Sequence, residues 1–350
     1  MNSLLFHLSK DNAMTQSPLA LVTGANGHLG NNLVRHLLQN GVNTRASVRN
    51  LSNITPFHGL DCEVVQADIT NKASLLRAMN GVQTLYAVGA SFKLWAKNEH
   101  KEIYDVNMNG TRNTLEAASE AGVQKIVYVS SIAALNHRQT PICEANGFNP
   151  DRRNVYYNSK NDSELLAFEL AQKYGIELVS VLPSAMIGGE NFGLNESYRL
   201  LATIYQKKVP IETSIYLNWV DVKDVAAACY QAALNGRNGE RYTLANAKGM
   251  SIRETTELIQ SLSPVLGLKL PIKTPRWTLW TLAWFMETVG KLTQSAPLMK
   301  TSDIEMFYGV RQDFDIRKAI QDLDFRPASP QEAVANALEY LRSHPHLLPA

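Results

Sequence analysis

Residues 19–30 read Leu19-Ala20-Leu21-Val22-Thr23-Gly24-Ala25-Asn26-Gly27-His28-Leu29-Gly30. Four apolar residues suit a short buried strand. The three glycines, spaced by three, then open a helical pattern predicted over 28–39 and stopped by Asn40-Gly41. Small residues at such a turn let the backbone N–H groups of a helix N-terminus approach a pyrophosphate. A glycine triplet alone is weak evidence, but a strand before it and a helix after it are the setting the motif requires.

The same alternation continues downstream. Strands are predicted at 44–48, 63–65, 84–88, 126–129 and 178–182, with helices near 72–79 and 108–120 and a long one reaching about residue 174. This order predicts an α/β chain: a Rossmann-type doubly wound parallel sheet with right-handed crossovers. After Pro183 the pattern loosens into a loop with Gly188-Gly189 and Gly193, then a helix near 197–207. Trp219-Val220-Asp221-Val222-Lys223-Asp224-Val225 reads as the start of another helix, 241–244 as a further strand, and 330–341 as a closing amphipathic helix. The predicted division is an N-terminal extension at 1–17, a dinucleotide-binding domain at 18–185 and 213–247, and a smaller, mostly helical substrate lobe at 186–212 and 248–348.

Composition narrows the class. The 350 residues are 45% hydrophobic and 19% charged, as in a soluble globular protein, and a net charge of +2 offers no basic field for nucleic acid. Cys62, Cys143 and Cys229 are odd in number, far apart and without metal-ligand spacing, so neither a disulfide framework nor a metal site is expected. Free thiols and the lack of a signal-peptide pattern point to the cytoplasm. No run of 18 apolar residues exists to span a bilayer.

Chemistry enters at Val155-Tyr156-Tyr157-Asn158-Ser159-Lys160. Tyr156 and Lys160, four apart, share a helix face, and Tyr157 does not fit that spacing. A nearby ammonium is expected to lower the phenol below its ordinary value of about 10, making it a proton donor or acceptor near neutral pH. Strand two ends in Arg45-Ala46-Ser47-Val48-Arg49-Asn50, which lacks the acid that would hold a ribose 2′-OH. Arg49 is placed to pair with a 2′-phosphate, so NADP(H) is preferred over NAD(H), while Arg45 falls mid-strand. Asp68 either accepts from an adenine amine or caps the helix that follows.

These motifs resemble the extended short-chain dehydrogenase/reductase superfamily. Asn107-Met108-Asn109-Gly110-Thr111-Arg112-Asn113, Ser130-Ser131, Leu182-Pro183 and the Trp219–Val225 stretch continue the match over about residues 18–345. Within it the chain is most similar to the dihydroflavonol-4-reductase-like branch of the NAD-dependent epimerase/dehydratase family, through residues 45–49, Leu94-Trp95-Ala96 and Ile103-Tyr104-Asp105-Val106-Asn107. The resemblance implies a cofactor site formed by Thr23, Gly24, Asn26, Gly27, His28, Leu29, Gly30, Arg49, Asp68, Ile69, Val88, Gly89, Ala90, Tyr156, Lys160 and Pro183. It also implies a catalytic set: Tyr156 as proton donor, Lys160 tuning it and holding the nicotinamide ribose, Ser131 rather than Ser130 bonding the oxyanion, and Asn107 bracing the site. Members are often dimers, though no residue here demands one.

Three activities fit that frame: a carbonyl reductase, a nucleotide-sugar epimerase or dehydratase with retained NAD, and a non-catalytic NADP-binding sensor. The intact triad disfavours the sensor. Ile132-Ala133-Ala134-Leu135 after Ser131 lacks the acids of an elimination, and residues 186–218 hold only Arg199, Lys207 and Lys208 as cations for a sugar-nucleotide pyrophosphate. The expected reaction is reduction of a small-molecule carbonyl, an aldehyde or ketone. Candidate substrate residues, Phe92, Leu94, Trp95, Ala133, Met186, Ile187, Phe192 and Tyr198, are apolar or aromatic, which suits a hydrophobic substrate. His137 and Arg138 read as a solvated loop. Trp277, Trp280 and Trp284 fall on one helix face within 277–292; that helix either packs on the core or a subunit interface, or meets a membrane or lipid-like substrate.

Overall fold

The computed structural model describes residues 18–92, 95–297 and 299–348. The extension at 1–17 and Leu94 therefore lie outside the described residues.

Seven strands form one parallel sheet: β1 (Leu19–Val22), β2 (Asn43–Val48), β3 (Glu63–Gln66), β4 (Val82–Ala87), β5 (Lys125–Val129), β6 (Glu177–Pro183) and Arg241–Leu244. From one edge the order is Arg241–Leu244, β6, β5, β4, β1, β2, β3. The chain thus starts inside the sheet and grows outwards in both directions, leaving a crevice beyond the carboxyl ends of β1 and β4.

Alternation along each strand feeds two cores. Ala20 and Val22 of β1, with Val127 and Val129 of β5, face α1 (His28–Gln39) and the helix Val222–Asn235. Leu21, Ile126 and Tyr128 face the opposite side, against α2 (Lys72–Ala78), α3 (Asp105–Ala121) and α4 (Val155–Tyr174). Local signals stop the helices: α3 ends at Gly122 with φ 74° and α4 at Gly175 with φ 69°, left-handed positions that glycine takes without steric cost.

One expected element differs. Trp219–Asp221 is a short strand paired with Ala185–Ile187, and the helix begins only at Val222. The Asp221 carboxylate accepts the Lys223 N–H at 2.9 Å, capping the helix and so fixing its start. Trp219 is fully buried, among Tyr198, Leu201, Ile252 and Ile259, and donates from Nε1 to Thr255 Oγ1 at 3.1 Å. The helices Glu196–Tyr205, Ile252–Leu262 and Pro330–Ser343 enclose this third core.

Candidate active site

The glycine turn is built by a close approach of backbones. Gly24 has φ +60°, and a Cβ there would lie 2.9 Å from the Gly89 Cα at the end of β4. Gly30 lets α1 rest on the turn, since a Cβ would meet the Gly24 carbonyl oxygen at 2.4 Å. Thr23 fastens the approach: its hydroxyl accepts the Val88 and Gly89 N–H groups at 3.1 and 3.0 Å. No side chain caps the N-terminus of α1, and its first turn carries no acid. A buried Ser47 hydroxyl at the end of β2 lacks a hydrogen-bond partner. Uncapped N–H groups, a cradle that a Cβ would fill and an orphaned hydroxyl together fit the phosphate and ribose end of a dinucleotide.

His28 faces away from this cradle. Its ring bonds the Gly188 carbonyl at 2.7 Å through Nε2 and Asn195 at 2.7 Å through Nδ1, and burial lowers its pKa to about 4. Asp68 accepts the Thr70 N–H and hydroxyl at 2.8 Å each, and Asn71 caps α2 instead. Arg49 is exposed just beyond β2, whereas Arg45 is held mid-strand by Glu63 at 2.7 Å and by two backbone carbonyls.

The segment 107–113 serves three strand ends. Asn107 is buried, accepts the Ser91 N–H at 2.7 Å and donates to Ser159 Oγ at 2.9 Å. Gly110 leaves room for Ile69, whose Cδ1 would be 2.8 Å from a Cβ. Thr111 bonds the Tyr128 hydroxyl at 2.8 Å, and Asn113 donates to the Ile69 carbonyl at 2.9 Å. Asn107, Gly89, Ala90, Thr111, Tyr128 and Lys160 line a narrow cleft.

Tyr156 enters from α4. Asn154 caps that helix, accepting the Tyr156 and Tyr157 N–H groups at 3.0 and 3.2 Å, and is itself held by Asp303 at 3.2 Å. Asn154, two residues before Tyr156, is a sequence signal that could have shown this cap. Ser131 lies beside the Tyr156 phenol and accepts the Ala133 N–H at 3.2 Å, while Ser130 turns to Glu164 at 2.9 Å. The expected lowering of the phenol by Lys160 is absent. Burial pushes Tyr156 up to about 12, the neighbouring Ser131 hydroxyl opposing it, and burial brings Lys160 down to about 8, with Glu164 opposing. In this poorly hydrated cleft desolvation sets the direction for both groups, and neither shifts the other. At neutral pH the phenol holds its proton and the ammonium its charge. Among the described residues no side chain pairs with that ammonium.

Of the expected substrate residues, Phe92 stacks obliquely on Tyr156 with centroids 5.3 Å apart, and Ala133 packs beside it with Ala96 and Ile103. Trp95 is half-buried on the same loop. Met186 packs against the sheet core, Ile187 is buried and Phe192 is exposed beyond the Gly188-Gly189 turn. Tyr198 is fully enclosed in the lobe and donates to the Ala337 carbonyl at 2.7 Å, which leaves it no surface for a ligand. Pro183 ends β6 in a buried position. Arg138 is exposed as expected, but His137 is half-buried: it lies edge-on between Tyr157 and Phe307, bonded to the Ile132 carbonyl at 3.0 Å, and burial lowers its pKa to about 4. Phe307 carries no motif and reaches Tyr157, centroids 5.0 Å apart, only through the tertiary fold.

Sequence reading also missed a fully buried ion pair beneath the site. Glu164, one turn after Lys160, receives Arg241 Nε and Nη2 at 2.9 Å each, and the hydroxyls of Ser130 and Ser180. Arg241 lies 3.9 Å over the Phe148 ring.

Residues 20–245 match the family model of the NAD dependent epimerase/dehydratase family. The chain belongs to that family. It is 33% identical over 344 residues to the "Putative dihydroflavonol 4-reductase" of Synechocystis sp., a match covering 92% of this chain and 94% of that protein. It is 27% identical over 330 residues to "Sterol demethylase protein B" of Methylococcus capsulatus, covering 92% and 98%. Among solved structures, gox2253 superposes with a TM-score of 0.79 at 27% identity, covering 94% of this chain and 99% of that one. Family members are NAD(P)-dependent enzymes, reductases and dehydrogenases among them.

The buried pair yields a stability prediction. Arg241→Met strands the Glu164 charge and should cost roughly 3–5 kcal/mol, read from the urea midpoint. Adding Glu164→Gln should return part of that loss, because no buried charge then remains.

Proposed function

We propose that the chain is an NADPH-dependent oxidoreductase that reduces a hydrophobic aldehyde or ketone to an alcohol. The observation that carries this reading is Tyr156: a buried phenol, protonated at neutral pH, beside Ser131 and bordered by Phe92, Ala96, Ile103 and Ala133. Such a group is suited to giving a proton to an oxyanion in an apolar pocket. The reductase and sterol names of the two relatives support the reaction and the substrate class.

In this reading the turn at 24–30 would hold the pyrophosphate, Arg49 the 2′-phosphate, Asp68 and Ile69 the adenine, and Lys160 the nicotinamide ribose. Bound NADPH supplies a hydride to the carbonyl carbon. Tyr156 passes its proton to the carbonyl oxygen as charge develops there. Ser131 donates a hydrogen bond to the same oxygen, and because that bond is aimed beforehand it costs no reorganisation. Asn107 keeps α4 and the Ser91 loop in register through Ser159. The apolar border limits water at the reacting carbon. The three free cysteines suit a reducing compartment, and we place the enzyme in the cytoplasm.

Tyr156→Phe should lower kcat/KM for a turned-over carbonyl by roughly 10²–10⁴-fold, and Tyr157→Phe by only a few-fold. Retained activity in the first variant, or turnover of a UDP-sugar without net NADPH loss, would overturn the assignment. Arg49→Ala should lower kcat/KM for NADPH against NADH by roughly 10- to 100-fold, the worth of one or two charge-assisted bonds. An unchanged ratio removes Arg49 from cofactor selection. Because Lys160 carries its charge only below about 8, kcat/KM for NADPH should be level at lower pH and fall as pH rises through 8. In Lys160→Arg the residual activity should lose that fall, since guanidinium stays charged; a fall that persists belongs to another group.

A further inference from the structure

The helix Arg276–Thr293 turns its tryptophans outward. Leu279 and Ala283 are buried against Ile304, while Trp277, Trp280, Trp284, Phe285, Val289 and Leu292 are exposed, Trp277 by 71% and Leu292 by 81%. Their spacing makes one continuous stripe along about 22 Å of helix. Val265, Leu270 and Ile272, in the segment leading into the helix, are exposed as well. Residues 265–292 thus carry nine of the 17 exposed large hydrophobic residues found among the described residues, far beyond the scatter expected of a soluble surface.

Charge indicates what covers this face. Lys269, Lys273, Arg276 and Lys291 are exposed there. The segment's one carboxylate, Glu287, is turned inward to the Thr301 N–H at 3.0 Å, and nearby Glu305 is occupied by Trp280 Nε1 at 3.1 Å and Arg153 at 3.2 Å. A second copy docked about a two-fold axis would bring the same patch against itself, cation to cation, with no exposed carboxylate of the segment to meet them. An anionic lipid surface meets both features: headgroups pair with the lysines and the acyl boundary receives the aromatic stripe, an environment in which tryptophan is enriched. No helix of the described residues is long and apolar enough to cross a membrane, so the contact is with the surface.

We propose that residues 265–292 form a docking face for an anionic membrane surface. The face is close to the candidate site, since Trp280 reaches Arg153, the residue before the Asn154 cap, through Glu305. It does not rest on the carbonyl-reductase reading.

The test is co-sedimentation of the full chain with vesicles of phosphatidylcholine alone and of phosphatidylcholine with phosphatidylglycerol. Binding is expected to the second only, weakening as salt rises, with tryptophan emission quenched by brominated acyl chains. Trp277→Ser/Trp284→Ser, which removes two exposed side chains, should lower binding by roughly tenfold or more. Lys273→Glu/Lys291→Glu should do so with the tryptophans in place. Failure to bind, equal binding to phosphatidylcholine alone, or binding unchanged in both variants would overturn the proposal. So would a dimer, by light scattering, that Trp277→Ser/Trp284→Ser turns into a monomer, since a second copy would then cover the face.

Discussion

The backbones of Gly24 and Gly89 pass within van der Waals contact, and the rest of the site is arranged around that crossing. It joins the carboxyl ends of two neighbouring strands, sets the start of α1 over the crevice and leaves no space for a side chain at Gly24 and little at Gly89. Thr23 holds it with one hydroxyl, which accepts two N–H groups that the sheet leaves unpaired. From there the order of contacts runs outward: Gly89 to Ile69, Ile69 to Gly110 and Asn113, and Asn107 to the Tyr156 helix.

That order explains which features could be read from the chain. Periodicity and glycine spacing are local, so the helix at 28–39, the strand at 241–244 and the turn between β1 and α1 stand where the pattern put them. The helix expected from Trp219 is an instructive exception. Apolar periodicity there is equally compatible with a strand, and the cap at Asp221 decided between them. Tyr198 shows the limit for single residues: an aromatic near a glycine loop has the same signature in a pocket or a core, and only its bond to Ala337, 139 residues away, assigns it to the core.

Electrostatics was the least legible part. A tyrosine and lysine four apart suggested attraction, yet both side chains are so poorly hydrated that burial sets the direction for each. The pairing of Glu164 with Arg241 spans 77 residues and carries no motif, although it lies one turn below Lys160. Both effects depend on how much water the fold excludes, a quantity that spacing does not encode.

The cap of the Tyr156 helix has a consequence for biosynthesis. Asn154 is held by Asp303, 149 residues later, and Tyr157 leans on Phe307. At about 5–20 residues per second, a ribosome needs roughly 7–30 s to supply that partner. During that interval the parallel sheet can assemble while the start of α4 still lacks its support. In the newborn chain the glycine turn and its sheet are thus made before the segment around Asp303 and Phe307 that steadies the start of the Tyr156 helix.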